Sequence, residues 1–161
     1  MIHEKTKSFR EGIAVSATLV LFALATSSYA FAEPDQKNKV SGQEVAAMYY
    51  GKTWTWSKGA SYWGRDASFQ AIWEESVGIG KWYATTQGNL CYEALWKDAT
   101  SSPGTQIKRC WMHVRDSKGN LWKQDSRTNE WYPAANEMNE RIKDGNGIQS
   151  AVNSLRKRAG L

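Results

Sequence analysis

The chain has 161 residues, nine tryptophans, two cysteines and a formal net charge of +5. That length is one domain's worth of sequence. The positive balance is too mild for a nucleic-acid footprint, though it suits the vicinity of anionic envelope polymers.

Residues 1–32 read as a secretory signal. A charged start (His3, Glu4, Lys5, Lys7, Arg10, Glu11) precedes the apolar run Ile13 to Ala25, and the run closes on "SSYAFA" with small residues at Ala30 and Ala32. Cleavage is expected after Ala32, leaving a periplasmic or secreted chain. The run is shorter than the ~20 residues a spanning helix needs, so a membrane anchor is the weaker reading and no membrane span is expected in the mature chain. No cysteine near the cut offers a site for a lipid.

Residues 33–40 form a polar arm. "SGQEVAAMYYG" then reads as a short helix. Ser41 and Glu44 make a capping box, Val45, Met48 and Tyr49 share one face, and Gly51 ends it. From Gly51 to Pro133 short aromatic runs alternate with Gly, Asn and Ser turns. Strands are expected near 52–57, 60–64, 68–74, 80–86, 89–97, 106–115, 120–125 and 130–133. The expected turns include "VGIG" at 77–80. Eight short strands with this punctuation predict a mostly β fold, a small antiparallel lipocalin-like meander that curls into a barrel. After Pro133, "AANEMNERIKD" reads as helix, "GNG" breaks it, and Ile148, Val152 and Leu155 form one apolar stripe ahead of Arg156, Lys157 and Arg158. The expected organisation is therefore 1–32 signal, 33–133 helix plus barrel, and 134–161 a helical basic tail packed on the barrel or trailing it.

Cys91 and Cys110 most simply form one structural disulfide in an oxidising compartment. A cross-strand bridge there would set Tyr92 against Arg109, Glu93 against Lys108, and Trp96 against Thr105. Period-two alternation then places Leu90, Tyr92, Ala94 and Trp96 on one face with Ile107, Arg109, Trp111 and His113. That face is the more aromatic and is assigned inward. Two outcomes stay open for Arg109 and His113. They line a wet pocket, or a bulge or a snorkelling side chain carries them out. Most tryptophans must fill the core, each burying ~150–250 Å². In "KTWTWSK", Trp54 and Trp56 share a face, and exposed rings would be left to stack on a ligand.

"GKTWTWSKGASYW", "GKWYATTQGNLCYEALW" and "CWMH" together resemble the bacterial exported family catalogued as domain of unknown function 995, over roughly residues 47–133. The resemblance implies a signal peptide and a small lipocalin-like β fold. It supplies no catalytic residues and does not account for the tail after Pro133.

Enzyme chemistry is hard to assemble from these residues. His113 is the only histidine after the leader, no G-x-S-x-G accompanies it, and no zinc set exists. Glu74 and Glu75, read as strand neighbours, would face opposite sides. Asp66 or Glu75 acting with a distant carboxylate is the residual hydrolase reading. No catalytic residue, metal or cofactor is expected. The leading expectation is a non-catalytic binding module for a small or glycan-like ligand. It would use Trp54, Trp56, Tyr92, Trp96 and Trp111, with Arg109 and His113 as polar contacts. The alternative is an envelope interaction protein, such as an inhibitor of a cell-wall enzyme, contacting its partner through loops at Arg65, Asp66 and 97–105.

Overall fold

The computed structural model describes Pro34 and residues 38–161, so the signal reading lies outside the described residues. Helix α1 spans Gly42–Tyr49. The Ser41 hydroxyl accepts the Glu44 N–H at 3.1 Å, as the capping pattern predicts, and Gly51 takes the positive φ (72°) that ends the helix. Val45 and Tyr49 are fully buried, and Met48 packs beside them.

An antiparallel meander follows: β1 Lys52–Trp56, β2 Gly59–Trp63, β3 Ser68–Trp73, β4 Ser76–Ala84, β5 Asn89–Lys97, β6 Thr105–Arg115, β7 Leu121–Asp125 and β8 Trp131–Pro133. A π-helical turn, Glu137–Arg141, leads into β9, Ile142–Asp144, and α2 spans Gln149–Ala159. The strands form one sheet in the order β8-β7-β6-β5-β4-β3-β2-β1-β9. It is a curled half-barrel rather than a hydrogen-bonded closed barrel, because β8 and β9 are its two edges.

The disulfide and its register are as expected. Cys91 and Cys110 are bonded (S–S 2.08 Å), and the partners run Tyr92 with Arg109, Glu93 with Lys108 and Trp96 with Thr105. No bulge interrupts β6 between Thr105 and Met112. On the outer face Glu93 meets Lys108 at 2.8 Å; hydrogen bonds from Lys108 and Tyr83 hold its carboxyl below the usual range.

Three expectations are corrected. "VGIG" is not a turn but the first half of β4. An added Cβ at Gly80 would lie 1.9 Å from the Glu93 carbonyl oxygen, and one at Gly78 would lie 2.6 Å from the Trp96 ring. These glycines admit close neighbours within a strand rather than reversing the chain. The reversal falls at Glu74 and Glu75, with Glu74 at φ 51°. The two carboxylates are thus at a hairpin tip, not on a strand, and pair separately with Lys58 and Arg158. The helix expected from Ala134 is only one π turn, and Ile142 belongs to β9, where it faces Trp54 and is buried. Pairing with β1 satisfies the backbone of 142–144 where a continued helix would leave that edge bare.

The stripe on α2 is as read. Ile148, Val152 and Leu155 bury against Ala60, Val77, Ile72 and Ile79 on the outer face of β2–β4. The Thr53 hydroxyl donates to the Gly145 carbonyl at 2.6 Å and accepts from the Gly147 N–H at 2.9 Å, tying this return segment to β1.

Candidate functional site

Alternation sends Trp54, Trp56, Ser61, Trp63, Phe69, Ala71, Gly78, Tyr92, Ala94, Trp96, Arg109 and Trp111 to the concave face of the sheet. Across the strands, one row of partners runs Trp54, Ser61, Ala71, Gly78, Trp96. Two large rings bracket three small residues in that row. Bulk is missing where the sheet curls, and a cavity of about 650 Å³ results. Its volume lies within the ~300–1,000 Å³ common for ligand sites.

The ends of the half-barrel differ. At one end α1 lays Tyr49 against Trp54, Trp63 and His113, with ring centroids 6.2, 5.5 and 5.7 Å away. At the other end, the hairpins after β1, β3 and β7 contribute Ser57, Trp73, Ser76 and Arg127 to the cavity wall. Trp73 is 41% exposed there and lies 6.4 Å from Trp56, centroid to centroid. The deeper wall is aromatic. Phe69 stacks on Tyr92 at 4.2 Å, and Trp54 meets Trp111 edge-on at 5.3 Å.

Six of the seven residues expected to contact ligand line this cavity: Trp54, Trp56, Tyr92, Trp96, Arg109 and Trp111. His113 does not. It points inward, but to the end closed by α1. There it is fully buried, and its Nε2 accepts the Tyr49 hydroxyl at 3.0 Å. Its Nδ1 lies 3.2 Å from the Gly88 carbonyl and 3.1 Å from that of Trp111, so this nitrogen carries the proton. Burial and then the nearby Lys123 charge lower the His113 pKa to about 3, so the ring is neutral.

The wall's polar atoms are unevenly matched. The indole nitrogens of Trp54, Trp56 and Trp63 and the Ser61 hydroxyl are buried without a hydrogen-bond partner. The Trp96 nitrogen, beside the Tyr92 hydroxyl, likewise makes no well-formed hydrogen bond. Each of these residues lines the cavity, but the unpaired atom itself has essentially no accessible surface. Arg109 and Arg127 are also on the wall, and neither forms an ion pair with a described carboxylate. Asp125 is the one acidic residue lining it, and its Oδ1 already accepts the Arg127 backbone N–H at 2.8 Å.

Lys123 was not singled out from the sequence. It is fully buried on β7 opposite His113, bonded to Glu137, with its Nζ 3.8 Å from the Trp54 ring centroid. Tyr49, Trp111 and Tyr132 complete an aromatic box around it. Desolvation lowers its pKa, opposed by Glu137. Leu121-x-Lys123-x-Asp125 alternation was the available signal: the strand that buries Leu121 must also turn Lys123 inward.

The other candidates sit apart. Asp66 is spent on its own turn, accepting the Ser68 N–H and hydroxyl. The loops at Arg65–Asp66 and 98–104 belong to opposite ends of the meander, since alternate hairpins fall on alternate ends. Among the described residues no His/Cys/Asp/Glu group is arranged to hold a metal ion, and no helix is long and apolar enough to cross a membrane.

Fold and cavity together define a small antiparallel meander curled around a tryptophan-lined hollow. The chain belongs to the family described as "Protein of unknown function (DUF995)", whose model matches residues 16–153. The match therefore extends past Pro133 through residue 153, into the segment that the sequence resemblance left out. No curated protein and no solved structure matches the chain significantly.

Proposed function

We propose that this protein is an exported, non-catalytic binding module that holds a small or glycan-like ligand in the aromatic cavity. The observation that carries the reading is the hollow itself. A folded core normally closes on its tryptophans. Here about 650 Å³ stays open beside Trp54, Trp56, Trp96 and Trp111. A ligand that fills the space gives those rings the packing contacts they lack.

Trp54, Trp56, Trp96 and Trp111 are the contacts expected to report occupancy. Titration with envelope glycans and small organic acids should shift the intrinsic tryptophan emission and saturate. An emission spectrum unmoved by every compound sinks the proposal. Export rests on the leader sequence, and its check is the N-terminus of the protein recovered from periplasm, expected to be Glu33.

A further inference from the structure

We infer that the cavity selects an organic carboxylate with an apolar or flat body, rather than a neutral sugar. This rests on the binding reading above and narrows it. An indole nitrogen donates one hydrogen bond and accepts none, and a guanidinium only donates. The charged donors on the wall are Arg109 and Arg127, and Arg109 keeps part of its surface accessible.

A neutral oligosaccharide brings a donor with every hydroxyl and needs acceptors in return. The wall supplies these as hydroxyls and the Asp125 carboxylate, whose Oδ1 takes the Arg127 N–H, but a neutral sugar leaves Arg109 without a counter-charge. A carboxylate brings only acceptors, with about four lone-pair sites. It also brings the charge that the wall lacks: Arg109 and Arg127 stand against Asp125 alone, and Arg109 has no ion-pair partner among the described residues. Arg109 lies opposite Tyr92, which stacks on Phe69. An acid held by the guanidinium would thus lay its body along the ring-lined wall. Desolvated, such a pair gains strength from its planar two-point geometry.

Calorimetry on the intact protein tests this with naphthalene-2-carboxylate and decanoate, their neutral primary amides, and chitotriose. At least one acid should bind about tenfold or more tightly than its amide, and chitotriose should be weakest. Arg109→Gln should weaken that acid by about 10- to 100-fold while changing its amide by less than about twofold. Arg109 is half-exposed, and a thermal melt confirms that the variant is folded. Amides or chitotriose binding as tightly as the acids would overturn the inference and leave the binding reading standing. An acid unaffected by Arg109→Gln would do the same. If none of the five probes binds, the inference falls, and a silent fluorescence screen then decides against the binding reading as well.

Discussion

His113 and Lys123 face each other across β6 and β7, both fully buried, and they solve one problem differently. Lys123 keeps a partner in Glu137 and four aromatic faces around it. His113 gives up its charge, donating to backbone carbonyls while accepting from Tyr49. The linkage sign follows. The folded pKa, about 3, lies below the ordinary 6.5, so the unfolded chain binds the extra proton. Stability from His113 is complete above pH 6.5 and is lost progressively as pH falls toward 3. Between pH 6.5 and 5 few carboxylates titrate, so chemical denaturation there should show a declining stability that His113→Gln flattens. The full span to pH 3 is worth on the order of a few kcal/mol. A slope unchanged by the substitution would mean that His113 is not held neutral.

At the scale of strands, the decisive feature is the row of Ser61, Ala71 and Gly78 between Trp54 and Trp96. Ser61→Val fills part of the hollow and removes an unpaired hydroxyl, so it should raise the melting temperature, by about 1 kcal/mol of added stability, and weaken ligand binding. A lower melting temperature would show that the Ser61 hydroxyl is satisfied in solution. Much of the strand pattern was legible beforehand. The cysteine pair pinned one register, and alternation from it placed Tyr92, Trp96, Arg109 and Trp111 on the concave face. What escaped was the meaning of glycine in "VGIG". A glycine that reverses the chain and a glycine that clears room for Trp96 are spelled alike, and only the facing strand distinguishes them. His113 escaped for a related reason. Its face was readable, but its level along the barrel depends on α1, which no local pattern locates.

For the molecule as a whole, two apolar clusters share one sheet. The aromatic cluster lines the concave side, while Ile148 with Val152 and Leu155 of α2 covers the convex side of β2–β4. Val152 is fully buried at that contact. Val152→Asp should therefore detach α2 and cost about 3 kcal/mol or more, seen as a drop in melting temperature. A melt within a degree of the parent would show that α2 contributes little to the sheet's stability. The stripe on α2 was legible from its spacing. Its docking place was not, because several outer strands carry similar alternate apolar residues.

Thr53 and Gly145 are 92 positions apart and bonded, and β9 lies directly against β1. During synthesis, then, β1 emerges long before its outer neighbour exists. Until residues 142–144 arrive, the nascent ribbon shows a bare flank beside Trp54, open to wrong partners. Maturation of this chain is in that sense decided late, by a three-residue strand whose arrival shuts the flank.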